Sequence, residues 1–289
     1  MYYINMKLDC VLTACNNVPM YIDFIPNFVK AWNTLCPKVD VKIILIHDSI
    51  PEKFKEYEKN IILFPPLPNI STAFTSQYIR LLYPALLPYT NGVMITDMDI
   101  LPMNARYYIE NIKKFTNDHF VYLRHVLLEG FVISNYLDRP TGGIIQKKIT
   151  IPKQLSMCYN VATPTVWGEI FTIQTLDDIN KRISKVYQTI DYVTPGELHK
   201  HGNADNHSWS RDQIDLYTSV MKWNNKTNNF TFIRDHNAGH RRLDRSCPGG
   251  IALTQELQQM IQMGVFSDYH CYRPYEKFKH INDTIVSWL

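Results

Sequence analysis

The sequence predicts an α/β fold built on a parallel sheet. Two observations carry that expectation. Short apolar runs rich in β-branched residues recur at 8–15, 41–46, 61–64 and 92–96, and segments with helical apolar spacing lie between them at 21–35 and 71–87. Parallel neighbours need a crossover between them, so this alternation is the pattern such a sheet produces.

Residues 8–15 (LDCVLTAC) read as a buried strand that ends at Asn16-Asn17. The helical pattern at 21–35 stops at Cys36-Pro37, because proline cannot donate to the helix. The run 41–46 (VKIILI) is a second strand, a short charged helix follows at 52–59, and a third strand at 61–64 is closed by Pro65-Pro66. The helix at 71–87 takes Ser71 or Thr72 as its N-cap, and Pro84 ends or kinks its last turn. The strand at 92–96 then runs directly into Asp97-Met98-Asp99. Beyond it, 120–124 reads as another strand, while 130–170 is mixed around a Gly142-Gly143 turn. No linker divides the chain, so one domain over 1–289 is expected.

Composition narrows the function. Of 289 residues, 45% are hydrophobic and 20% charged, which is globular usage. The net charge of +3, from 30 basic and 27 acidic residues, lacks the basic excess of a nucleic-acid binder. Six cysteines occur without a C-x-x-C pair, so zinc of the usual spacing is not expected. With no leader pattern and no apolar run of membrane-spanning length, the reading is a soluble, cytoplasmic protein with free thiols.

Asp97-Met98-Asp99 is the sharpest local feature. On extended backbone, side chains two apart point the same way, so both carboxylates reach one hard divalent cation, which takes oxygen ligands and substrate phosphates. The bland alternative is a solvated acidic turn. Position favours chemistry, since parallel sheets present ligands at the carboxyl ends of their strands. A second cluster, His236-Asn237-Ala238-Gly239-His240-Arg241-Arg242 with Arg245 close behind, offers a histidine ligand, a glycine permitting close backbone approach, and guanidinium forks for phosphate. Its alternative is a surface loop with scattered charge.

Taken together these segments resemble the GT-A glycosyltransferases, and among them the glycogenin-like retaining enzymes. Val11-Leu12-Thr13-Ala14-Cys15-Asn16 is similar to the family's base-contacting first strand. The segment from Gln77 to Pro84 is similar to the helix whose arginine, here Arg80, lies near the diphosphate sugar. Asp97-Met98-Asp99 matches D-x-D. Asp212-Gln213-Ile214-Asp215-Leu216 resembles D-Q-x-x-L, and His236-x-x-Gly239-x-x-Arg242 resembles H-x-x-G-x-x-K with arginine for lysine. The family's N-x-G segment before D-Q has only Thr141-Gly142-Gly143, a poor match too far upstream, and Leu243-Asp244 stands where the last motif ends in Pro-Trp.

The resemblance implies a GT-A-type, Rossmann-like nucleotide-binding half over about 1–105. It implies a less regular acceptor half over about 106–289, with a metal and diphosphate loop near 236–245. It implies transfer of a sugar from a nucleoside diphosphate, with uridine as the base, to a glycan or protein hydroxyl. Mn²⁺ or Mg²⁺ is expected on Asp97, Asp99 and His236. Thr13, Ala14, Cys15, Asn16, Arg80, Asp97, Gln213, Gly239 and Arg242 are expected around the donor. Asp212 is the first candidate for the base or cation-stabilising carboxylate, and Glu169 the second. The aromatic run at 269–275 is a candidate stacking surface, with core packing as its alternative.

Three other classes compete. An aspartate-nucleophile phosphatase carries D-x-D on its first strand and follows it with D-x-[TV]. A sugar nucleotidyltransferase has a glycine-rich loop after its first strand, which 13–20 lacks. A carbohydrate-binding protein needs neither the acidic pair nor the late basic cluster.

Overall fold

The computed structural model describes residues 5–124, 127–137, 144–190 and 210–289. The Gly142-Gly143 turn lies outside them. Strand β1 (Leu8–Asn16) leads through helix α1 (Pro19–Ile22) to α2 (Ile25–Leu35), β2 (Asp40–Ile46), a 3-10 segment (Glu52–Asn60) and β3 (Ile61–Phe64). Helix α3 (Thr72–Leu82) and a second 3-10 segment (Tyr83–Leu86) precede β4 (Gly92–Ile95), β5 (Ile100–Pro102), α4 (Ala105–Ile112) and β6 (Phe120–Tyr122). Next come β7 (Leu127–Leu137), β8 (Ile144–Leu155), β9 (Asn160–Ala162), α5 (Pro164–Phe171) and α6 (Leu176–Tyr187). After these stand α7 (Arg211–Thr227), β10 (Phe230–Phe232), α8 (Asp235–Ala238), β11 (Arg242–Asp244), α9 (Gln255–Gln262), β12 (Asp268–His270) and α10 (Lys279–Ser287).

The expected α/β fold is present, with a central, mostly parallel sheet of seven strands in the order β10–β6–β9–β4–β1–β2–β3. Strand β1 pairs in parallel with β2 and β4, whereas β9 runs antiparallel between β4 and β6. Alternate residues of β1 enter opposite cores. Val11 and Cys15 pack with Phe28 and Trp32 of α2 and Tyr108 of α4; Cys10, Leu12 and Ala14 pack with Phe74 and Tyr78 of α3 and Trp167 of α5. A sheet covered on both faces explains why its strands are nearly continuous apolar runs.

Some local expectations change in detail. The helix expected over 21–35 is split at Asp23–Phe24, because Pro26 stands at the start of α2 and has no N–H to offer the preceding turn. The charged segment at 52–59 is a 3-10 helix rather than an α-helix. Helix α3 is capped by Ser71, whose Oγ accepts from Phe74 N at 3.5 Å, and it gives way at Tyr83 to 3-10 geometry around Pro84. The mixed segment at 130–170 contains the antiparallel pair β7–β8. No helix among the described residues is long and apolar enough to cross a membrane.

Two features place the site. Gly92 opens β4 beside β1, and its N–H donates to the Lys7 carbonyl at 2.8 Å. A Cβ there would stand 2.9 Å from that carbonyl and from Val161 Cγ1. Gly92→Ala is therefore expected to lower stability by about 1–3 kcal/mol. A urea curve matching that of the unsubstituted protein would show that β1 and β4 part without strain. The second feature is a three-stranded sheet, β11–β12–β5. Antiparallel pairing sets His270 opposite Ile100, and β11 lies parallel to β12 with Asp244 opposite His270. The late strands are thereby hung on the segment that follows the aspartate pair.

Candidate active site

The aspartate pair is not extended. Asp97-Met98-Asp99 forms a turn between β4 and β5, closed by Ile100 N donating to the Asp97 carbonyl at 3.2 Å. The turn separates the two carboxylates, and each acquires its own partners.

Asp97, with a third of its side chain exposed, pairs through Oδ1 with the Arg80 guanidinium. Arg80 projects from α3, is 6% exposed, and also donates to the Thr96 carbonyl at 3.1 Å. Its other arm lies 3.4 Å from Asp212 Oδ2 in the first turn of α7. The fold thus joins three residues taken from distant segments, Arg80, Asp97 and Asp212. Arg80 does not stand free for a diphosphate, because the two carboxylates hold it. Burial pushes the Asp212 carboxyl up from 3.8 to about 7; Asp97 adds to this, while Arg80 and the Gln213 N–H oppose it. Gln213 is partly exposed beside it. Tyr78 of α3 donates to Asp215 at 2.6 Å, which fixes α7 against α3.

Asp99 is 4% exposed and lies within a cationic cluster. Its Oδ2 is 2.7 Å from Arg245 Nη1, 3.2 Å from Arg273 Nε and 3.5 Å from His270 Nε2. Burial opposes ionisation, but His270 and the two guanidiniums outweigh it and hold the carboxyl well below the usual range. The Cys271 N–H donates to the Asp99 carbonyl at 2.9 Å, continuing the β5–β12 ladder. Arg273 also donates to the Tyr21 hydroxyl and lies 5.3 Å over its ring. Arg245 belongs to the expected late basic cluster. His270 and Arg273 were hidden in a segment that reads as aromatic packing; their only signal is that they are the polar members of that run.

The late motif is placed differently from expectation. His236 is exposed on α8. Among the described residues no group of three or more His, Cys, Asp or Glu side chains stands together as a metal site, so His236 does not complete a shell with Asp97 and Asp99. Gly239 has φ +73° and caps α8, with open space where a Cβ would be; helix termination accounts for it. Arg242 turns to the fully buried Asp268, donating through Nε at 2.6 Å, so its charge is held inside the protein. The histidine of the segment whose side chain turns inward is His240, whose Nε2 lies 3.3 Å from Asp268.

Other expected residues also fall elsewhere. Thr13, Ala14 and Cys15 are buried within β1, and the Cys15 thiol is pushed up to about 12 by burial. Their side chains meet the cores, so only the strand end offers contacts. Asn16 there donates to Thr72 Oγ1 at 3.1 Å, and Asn17 lies 3.2 Å from His47 Nε2 of the adjacent strand end. Glu169 does not join Asp97. It accepts from Trp223 Nε1 at 3.0 Å and lines a cleft of about 380 Å³ with Thr90, Thr163 and Asn229. Thr90 precedes β4 and Thr163 follows β9, which is antiparallel to β4, so this cleft lies at the amino end of β4, opposite Asp97. In the aromatic run, Tyr269 is fully buried and donates to Asn282 at 2.6 Å, and Tyr275 donates to Asp283 at 2.6 Å; both are core residues.

The donor set therefore does not fit Mn²⁺ or Mg²⁺ as arranged. A hard divalent cation needs several oxygen ligands. Asp99 Oδ2 is surrounded by Arg245, Arg273 and His270, Asp97 Oδ1 is engaged by Arg80, and among the described residues no third ligating side chain joins the pair.

No protein-family model matches the chain, and no curated protein matches it in sequence. Among solved structures, the chain is similar to galactosyltransferase LgtC in complex with donor and acceptor sugar analogs, at 11% identity and TM-score 0.45, covering 95% of each chain. It is similar to the glycosyltransferase GlyE of Streptococcus pneumoniae TIGR4, at 12% identity and TM-score 0.45, covering 97% of this chain and 62% of that one. A 4-diphosphocytidyl-2C-methyl-D-erythritol synthase is similar at 9% identity and TM-score 0.34, covering 62% of this chain and 85% of that one.

Proposed function

We propose that this chain is a glycosyltransferase that moves a sugar from a nucleoside diphosphate to a hydroxyl of a glycan or protein. The observation that carries this reading is the division of labour around the turn after β4. A partly exposed carboxylate, Asp97, stands two residues from a cationic cluster, and a second carboxylate, Asp212, is tied to it through Arg80. All three lie at the carboxyl end of a parallel sheet, where such folds take ligands.

In the reaction, the bond from the anomeric carbon to a phosphate oxygen breaks, and the electron pair leaves with the diphosphate. The acceptor oxygen bonds to the carbon and loses its proton. Asp97 has one oxygen engaged by Arg80, and in this reading its other oxygen accepts from donor hydroxyls. Fixed positive charge beside the departing phosphate lowers the barrier. Asp212 is the carboxylate for the proton, or for the cationic sugar if configuration is retained. A uridine diphosphate sugar is the donor the sequence resemblance favours.

A panel of nucleotide sugars assayed for slow donor hydrolysis tests this. One donor should release its nucleoside diphosphate, and Asp97→Asn should reduce that release by about 10²-fold with acceptor binding intact. Because Asp212 stands at about 7, the rate should rise with pH up to about 7. A panel in which no donor is hydrolysed and no nucleoside diphosphate binds would sink the proposal and leave a carbohydrate-binding protein.

A further inference from the structure

Arg245 uses a single nitrogen, Nη1, for both of its side-chain contacts, with Asp99 Oδ2 and the Cys271 carbonyl, each at 2.7 Å. Its Nε and Nη2 have no hydrogen-bond partner among the described residues. Arg273 uses Nε for Asp99 and Nη1 for the Tyr21 hydroxyl, which leaves its Nη2 without one. Both guanidiniums are partly open, with 19% and 30% of their side chains exposed. Arg242 provides the contrast: Asp268 engages it through both Nε and Nη2.

A guanidinium held at one edge, with its other nitrogens unpaired, suits phosphate oxygens, which accept in parallel pairs. Asp99 serves this arrangement as an anchor. It is buried, remains ionised, and fixes both forks on one side of the turn. His270 stands between Asp99, at 3.5 Å, and Asp244, at 3.2 Å, which closes the cluster on its β11 side. Across the turn, Asp97 has its own partner in Arg80, so Arg245 and Arg273 are not needed to neutralise it.

We infer that Arg245 and Arg273, anchored on Asp99, bind the diphosphate directly, so that a nucleoside diphosphate binds this chain without a divalent cation. The inference rests on the transferase reading above. It assigns to two side chains the charge that a metal would otherwise supply to the leaving group.

Titration calorimetry of uridine, adenosine and guanosine diphosphates against the intact protein, in excess chelator and separately in Mn²⁺, provides the test. One of the nucleotides should bind in chelator as tightly as in Mn²⁺, and inorganic pyrophosphate should compete with it. Arg245→Ala and Arg273→Ala should each weaken that binding by about tenfold or more. Where Arg245→Ala melts early, the more exposed Arg273→Ala and the pyrophosphate competition in the unsubstituted protein carry the test. Binding that appears only with Mn²⁺ overturns the inference and leaves the transferase reading standing. Variants that bind as tightly as the unsubstituted protein overturn it as well. Failure of every nucleotide to bind in both conditions overturns the inference and the transferase reading together.

Discussion

Asp268→Ala is expected to lose about 3–5 kcal/mol of stability, because it leaves the largely enclosed Arg242 charge without its partner. Asp268 is fully buried and gathers several polar groups onto one carboxylate. Arg242 donates at 2.6 Å, Tyr159 donates its hydroxyl at 2.8 Å, the Ser267 hydroxyl lies 2.8 Å away, and His240 is 3.3 Å distant. Tyr159 is itself held at φ +62°, a left-handed conformation that a bulky residue seldom adopts. Removing Asp268 therefore releases a constraint on β9 as well as a charge. Burial disfavours the Asp268 carboxylate, but His240 and Arg242 outweigh it and depress its titration. Its contribution is thus present above the ordinary carboxylate range and is lost as the pH falls through the depressed value. Urea denaturation near neutral pH measures the effect, and a loss below about 1 kcal/mol would mean that water takes over the Arg242 fork. Because β12 also carries His270 and leads into Arg273, the nucleotide binding proposed for Arg245 and Arg273 should weaken in the same variant.

Asp212→Asn has the opposite sign. Relative to the unsubstituted protein, it is expected to gain about 3 kcal/mol of stability between pH 5 and pH 8. Burial is the main reason that this carboxyl stands at about 7 in the fold against 3.8 when unperturbed. Between those values the folded chain keeps a proton that the unfolded chain releases. The stabilising contribution is therefore fully present below about pH 4 and is lost as the pH rises through about 7. Asparagine keeps the shape and does not ionise, so it avoids the cost of a buried anion above neutrality. Urea curves of both proteins at pH 5 and pH 8 report the difference. Equal differences at the two pH values would show that Asp212 titrates as an ordinary carboxylate. Under the proposed function the same substitution should also slow sugar transfer, since in that reading Asp212 takes the acceptor's proton.

Much of the fold was legible along the chain. The strand at 8–15, the strand at 61–64, the Ser71 cap and the stop near Pro84 each follow from rules that act over a few residues: which side chains fit a buried strand, which oxygen caps a helix, which residue lacks an N–H. The position of Asp97 at a strand end was legible for the same reason, as was the pairing of α/β segments into a largely parallel sheet. The break at Pro26 was present in the sequence too, although the apolar spacing across it suggested one continuous helix.

The partners of each charge were not legible. Asp97 and Asp99 are neighbours in sequence, but the turn between β4 and β5 sends them to different places. Asp99 meets Arg245 146 positions away because β11 and β12 are docked beside β5. The same docking gives Arg242 to Asp268 and leaves His236 exposed on α8. By itself the sequence determined which segments become strands and helices and where an acidic pair would emerge. Only the tertiary structure decided that Arg80 joins Asp97 to Asp212 and that Arg245, Arg273 and His270, rather than His236, surround Asp99. A buried charge takes whichever opposite charge the packing brings within hydrogen-bonding reach, and that choice is made by strands paired across the whole length of the chain.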